Sequence, residues 1–201
     1  QRQCDVWRRE LFLCMLAEES PWFLLEPSID GAVRILESEG MVWIGLPAEN
    51  GKMKALPQPL LGRLLAFGYP VLIEADGAKR LPLKVPARHE PVIIPETTHV
   101  LSVYGLDAVG RPLQEVCFRK DIAAETLDIK MDTAIKAEHI AKLAFDSRGG
   151  KKGVLQDMEY RVILNKADDI RKEQTACSIG RLAEEKGLTG ITVTACNNTL
   201  K

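Results

Sequence analysis

The chain has 201 residues, 27 basic against 28 acidic side chains, 46% hydrophobic residues and only 5% aromatic ones. That apolar content with 27% charged residues excludes wholesale disorder, and a formal net charge of -1 offers no global attraction to nucleic acid or anionic lipid. The longest apolar run, 11–17, is far short of a bilayer span, and five Cys at irregular spacing without C-x-x-C fit a reducing cytosol, so a cytoplasmic protein with neither membrane nor nucleic acid as partner is expected.

Ser28 is placed to cap a helix whose apolar residues Ile29, Ala32, Val33 and Leu36 recur at i, i+3, i+4 and i+7. Gly40 stands where a glycine just past a helix end belongs, and 41–46 then reads as a buried strand. Leu60, Leu61, Leu64 and Leu65 mark a second helix face closed by Gly68, and 70–75 (PVLIEA) is the next strand. The stretch 80–98 carries four prolines, which exclude regular helix, before a strand at 99–104. Residues 118–153 read as one or two helices ending in an exposed, mobile basic loop at 147–153 (SRGGKKG). A strand at 161–164 (RVIL) follows, then a helix at 169–186 with Ala176, Ile179, Gly180 and Ala183 on one face. Gly187 closes that helix, and 191–195 is the final strand. Helices alternating with uniformly apolar strands predict an α/β fold, a mostly parallel sheet with helices on both faces. A single domain over 1–201 is expected, with a small helical insert at 118–153.

In such a sheet ligands bind beyond the carboxyl ends of the strands, and three of these strands end in polar clusters. The first is Glu74-Ala75-Asp76-Gly77-Ala78-Lys79. A carboxylate there is where P-loop proteins hold Mg²⁺, and Gly77 lets backbone approach a phosphate; the plainer alternative is an Asp-Gly turn. The second, Asn165-Lys166-Ala167-Asp168, is N-K-x-D, a guanine-reading element. Its Asp accepts two N–H bonds that adenine cannot offer, its Lys stem covers the base, and its Asn ties neighbouring loops together. The competing role for Asp168 is the N-cap of the following helix. The third, Thr194-Ala195-Cys196, comes one helix and one strand later, where a Ser/Thr-Ala pair offers a backbone N–H to guanine O6. Together they predict a site for a purine nucleotide, GTP or ATP with Mg²⁺, in which Asp76 with Glu74 takes the metal and catalytic side and Asn165, Lys166, Asp168, Thr194 and Ala195 take the base. Lys79, Lys84, His89 and Glu90 are candidates for the same cleft, because their loop leaves the strand that carries Asp76.

The phosphate loop G-x-x-x-x-G-K-[ST] occurs nowhere in the chain; Gly149-Gly150-Lys151-Lys152 is its nearest imitation, with no Ser or Thr after the Lys. Nucleotide hydrolysis therefore stays open. His89, His99 and His139 are scattered without zinc spacing, and His139 reads as a partly buried helix residue. Cys14, Cys177 and Cys196 read as small core residues.

The run 71–79 (VLIEADGAK), then Pro82-Leu83-Lys84, Pro86-Ala87 and His89-Glu90-Pro91-Val92-Ile93, resembles the signature of the selenium-dependent hydroxylase accessory protein family (YqeC). The run 105–110 (GLDAVG) and Asn165-Lys166-Ala167-Asp168 are similar to it in the same order, so the resemblance covers about residue 26 to the C-terminus. It implies a P-loop NTPase-like fold and a role in maturing selenium-dependent molybdenum hydroxylases, with such a hydroxylase or its cofactor-maturation proteins as partners. Family members open with a strand and a G-x-G-G-K-T-type loop; here Leu16-Ala17-Glu18-Glu19 matches, while 4–13 has no glycine. The chain begins at Gln1, not Met, so either that loop lies ahead of this chain or this member lacks it. The alternative function is a non-catalytic module that binds a partner or cofactor and keeps a vestigial nucleotide pocket.

Overall fold

The computed structural model describes residues 10–13, 22–47 and 53–195. Cys4, Cys14, Leu16-Ala17-Glu18-Glu19 and Cys196 lie outside the described residues. The chain divides into two compact units, 1–74 and 75–201. Among the described residues no helix is long and apolar enough to cross a membrane.

The first unit runs β1 (Glu10–Leu13), β2 (Phe23–Leu24), α1 (Ile29–Glu39), β3 (Met41–Ile44), the antiparallel pair β4 (Leu46–Pro47) and β5 (Met53–Lys54), α2 (Gln58–Leu65) and β6 (Val71–Ile73). Four of these strands form a parallel sheet in the order β2-β3-β1-β6, with Leu11 opposite both Val42 and Val71. The local chemistry of α1 is the one its sequence predicts. Ser28 Oγ accepts the Gly31 N–H at 3.1 Å, and Gly40 takes φ 77°, a left-handed turn open to glycine without strain. Its buried face is Ile29, Ala32 and Leu36, while α2 buries Leu61 and Leu64. Strand β3 is not buried throughout: Val42 and Ile44 are inside, whereas Met41 and Trp43 are half-exposed, the two-residue period of a sheet with one core face.

The second unit runs β7 (Leu83–Lys84), β8 (His99–Gly105), a 3₁₀ turn at Leu106–Ala108, α3 (Leu113–Val116), β9 (Cys117–Phe118), α4 (Lys120–Leu127), α5 (Ala137–Phe145), β10 (Glu159–Asn165), α6 (Ile170–Glu184) and β11 (Ile191–Val193). Its main sheet is parallel in the order β11-β10-β8, with Asn165 opposite Gly105 and Leu164 opposite both Tyr104 and Val193. The fold is thus α/β with parallel sheets, as the alternation predicts, and the strands are shared between a four-stranded and a three-stranded sheet. Tyr104, Val162 and Leu164 share one buried core with Ile140 and Leu143 of α5 and Ile179 of α6. Each such apolar side chain contributes about 1.5–3 kcal/mol on burial. The Pro-rich stretch is irregular as expected, except that Pro82 and Pro86 bracket β7, which pairs in parallel with β9.

Two expectations are corrected here. The 147–153 segment is an exposed loop only in part: Ser147, Arg148 and Gly153 are exposed, and the middle of the loop is packed. Gly149 is buried, its N–H donates to Asp146 O at 2.9 Å, and the Gly150 N–H donates to Leu143 O at 2.9 Å. A Cβ at Gly150 would strike the hydroxyls of Tyr104 and Tyr160, so the glycines let the backbone lie against α5 and both tyrosines. Cys177 is exposed, because α6 turns Ala176, Ile179 and Ala183 inward and the residue after Ala176 lies well off that face. His139 is partly buried in α5, as expected, with its Nδ1 accepting the Lys136 N–H at 3.2 Å.

Candidate functional site

Lys84 of β7 lies at the centre of the first polar cluster. Its side chain is only 8% exposed, and a buried ammonium is stable only if paired. Nζ donates to Gly77 O at 2.8 Å and stands 3.2 Å from Asp76 Oδ2 and 2.7 Å from Glu90 Oε2. Glu90 also receives Arg119 as a two-pronged fork, Nη1 on Oε2 at 3.1 Å and Nη2 on Oε1 at 2.9 Å, and the Ala87 N–H at 3.4 Å. Burial alone pushes the Glu90 carboxyl upward. The Lys84 hydrogen bond, the Ala87 N–H and the charges of Lys84 and Arg119 outweigh it and hold Glu90 below the ordinary carboxylate range.

Phe118 of β9 gathers the cations. Lys79 Nζ and the Arg119 guanidinium each lie 4.8 Å from its ring centroid, and Lys84 Nζ lies 5.6 Å away. Lys79, Arg80 and Arg119 have φ of 52°, 62° and 64°, a left-handed backbone that costs a non-glycine residue on the order of 1 kcal/mol. Lys152, from the packed glycine loop, donates to Ala87 O and ties that loop to this cluster. Asp76, Lys84 and Glu90 therefore come together, and Lys79 joins them through Phe118. His89 stays on the rim, with Nε2 3.9 Å from Glu90 Oε1, and Glu74 is an exposed residue at the end of the first unit.

The second cluster lies at the carboxyl ends of β8, β10 and β11. Asn165 Oδ1 accepts both the Lys166 N–H at 2.8 Å and the Thr194 hydroxyl at 3.0 Å. Ala167 N–H donates to Thr194 O at 3.0 Å, and Thr194 N–H to Leu164 O at 2.9 Å. Ala195 follows, exposed. Lys166 has φ 66° and reaches across to Asp107, Nζ to Oδ2 at 2.7 Å. Helix α6 is capped by Asp169 and not by Asp168: Asp169 Oδ1 accepts the N–H groups of Arg171 and Lys172, each at 3.0 Å. Asp168, one residue earlier, is exposed.

Gly105 connects the clusters. It stands opposite Asn165, and its N–H donates to Pro82 O at 2.9 Å, next to β7. A Cβ there would come within 2.5 Å of Asp107 Oδ1 and 2.7 Å of Pro82 Cβ, so a close approach requires glycine. Sequence reasoning missed Arg119, Phe118 and Asp107 as site residues. Asp107 obeys the strand-end rule that found the others, since it follows β8 by two residues; nothing in the sequence pairs Arg119 with Glu90. Among the described residues no group of three or more His, Cys, Asp or Glu side chains is placed to hold a metal ion. Mg²⁺ asks less of a protein, one or two carboxylates with the remaining ligands from phosphate and water, and Asp76 is a carboxylate of that kind.

Fold and clusters define an α/β protein with parallel sheets and polar residues at the strand carboxyl ends. The chain belongs to the YqeC family: the family model described as YqeC protein matches residues 14–121. That match takes in Asp76, Lys84, Glu90 and Arg119 and ends before Asn165. No curated protein and no solved structure matches the chain.

Proposed function

We propose that the chain is a purine-nucleotide-binding accessory protein, selective for GTP with Mg²⁺, in the maturation of selenium-dependent molybdenum hydroxylases. Membership of the YqeC family fits the accessory role. One observation carries the nucleotide reading: Asn165 Oδ1 joins the Lys166 N–H to the Thr194 hydroxyl, so the two base-reading elements share one edge of the sheet. Asp168 then accepts from guanine N1 and N2, the Lys166 stem covers the ring, and the backbone after Thr194 faces O6. Asp76 is the carboxylate for Mg²⁺ on the phosphate side, where the metal supplies charge neutralisation and must share that carboxylate with Lys84.

Fluorescent GTP and ATP analogues titrated with Mg²⁺ test this. GTP is expected to bind more tightly, and Asp168→Asn to lower the preference by about tenfold or more, the loss that follows when a site built on hydrogen bonds loses one acceptor. Equal affinities, or no binding, would overturn the base assignment. A second reading, a non-catalytic partner- or cofactor-binding module, draws on the first cluster. There Asp76 and Glu90 are already matched by Lys84 and Arg119, as in a structural ion network. Tight GTP binding that depends on Asp168 decides against it.

A further inference from the structure

Asp107 has no part in the function proposed above, yet it is held in a closely packed turn. It sits in the 3₁₀ turn that ends β8, between the fully buried Leu106 and Ala108, with the turn closed by Val109 N–H on Leu106 O at 3.2 Å. Its Oδ2 holds Lys166 Nζ at 2.7 Å across 59 positions of sequence. Its Oδ1 is buried and meets no donor among the described residues, in the space that the missing Cβ of Gly105 leaves open. An oxygen of a carboxylate buried without a donor is unfavourable for folding, a cost set against the gain from the Lys166 pair.

We propose that Asp107 is a positioning residue for base specificity: it draws the Lys166 ammonium to itself, fixing the Lys166 stem as a wall of the base pocket and withholding that charge from Asp168. The proposal rests on the purine-nucleotide reading. Lys166 and Asp168 are only two positions apart, and an ammonium left without Asp107 would fall towards the acid that reads the base. A neutralised Lys166 also keeps the base end of the pocket from competing for the nucleotide's phosphates. The left-handed backbone at Lys166, φ 66°, shows that the orientation of this residue is imposed by its surroundings. The charges of both acids reach one neighbouring ammonium. Lys172 is raised above the ordinary lysine range by its hydrogen bond to Asp169, with the charges of Asp169, Asp168 and Asp107 adding to it.

The test titrates fluorescent GTP and ATP analogues, with Mg²⁺, into the wild-type chain and into Asp107→Asn, Lys166→Gln, the double variant and Asp168→Asn, recording thermal unfolding of each. Asp107→Asn is expected to lower the GTP-over-ATP preference about fivefold through weaker GTP binding, at an unchanged melting midpoint. The double variant is expected to lose no more than Lys166→Gln alone, because the two residues act as one unit. Asp107→Asn with its preference intact overturns the proposal, and if Asp168→Asn has lost the preference the base reading still stands. A parallel fall in GTP and ATP affinity with a lowered midpoint marks a structural role and also overturns it. Should Asp107→Asn fail to fold, Lys166→Gln decides: an unchanged preference overturns the proposal. A wild-type chain without preference overturns both readings together.

Discussion

Replacing Glu90 with Gln measures what the first cluster is worth. The amide keeps the volume of the carboxylate but offers a single acceptor oxygen and turns an NH₂ towards groups that are themselves donors. Arg119, 19% exposed, loses its only charged partner among the described residues, whereas Lys84 keeps Asp76 and Gly77 O. Breaking a buried ion pair from one side costs about 3–5 kcal/mol. Glu90 is 17% exposed and Lys84 retains a counter-charge, which places the expectation at the lower end, about 3 kcal/mol. Asp76→Asn, which leaves the Glu90 pairs with Lys84 and Arg119 intact, is expected to cost about 1 kcal/mol. Urea denaturation followed by near-ultraviolet circular dichroism of tyrosine suits the measurement. Tyr104 and Tyr160 lie in the unit that contains Glu90, while all three tryptophans lie within 1–74. The acid side carries a sign. Glu90 titrates in the folded chain below its ordinary value of 4.5, so its stabilisation is complete above that pH and is lost as the pH falls through the lowered folded value. The Gln variant should therefore lose less stability than wild type on acidification below 4.5. A change under about 0.5 kcal/mol at neutral pH, or Asp76→Asn costing more than Glu90→Gln, would refute the view that Glu90 is the acid on which this network most depends.

Gly105→Ala is expected to destabilise by about 2 kcal/mol in the same denaturation assay, as overpacking against Asp107 Oδ1 and Pro82, since its φ of -81° suits alanine and leaves only the clash. Pulsed alkylation with peptide mass spectrometry should modify Cys177 well before Cys117. Cys177 is exposed, whereas Cys117 is buried and burial pushes its thiol up to about 12, leaving almost no reactive thiolate.

The fold was legible wherever a local signal coincides with a local cause. Ser28, Gly40, Gly68 and Gly187 mark helix ends because their chemistry acts within a few residues, and the last three all take positive φ. The strand at 161–164 grew to seven residues because its register with β8 extends beyond the apolar run that announces it. The capping role weighed as the alternative for Asp168 falls to Asp169, one position later, too fine a distinction for composition alone. Pairings carried by tertiary contact stayed hidden: Arg119 with Glu90 is 29 positions apart and Lys166 with Asp107 is 59, and no periodicity links either pair. The strand-end rule nonetheless pointed to the right neighbourhoods, since Asp76, Lys84 and Glu90 meet in one cluster and Asn165, Lys166 and Thr194 in another.

The glycine loop has a practical consequence for handling the protein. With Arg148, Lys151 and Lys152 inside seven residues, 147–153 looks like the natural place for trypsin to cut or for an engineer to insert a tag. The N–H groups of 148–152 are committed to Asp146, Leu143 and Gly149, and Lys152 is fastened to Ala87, so a protease finds no extended stretch there to draw into its cleft. An inserted peptide would prise the backbone from Tyr104 and Tyr160 and pull on the Glu90 network through Lys152. Fusion partners belong at another turn.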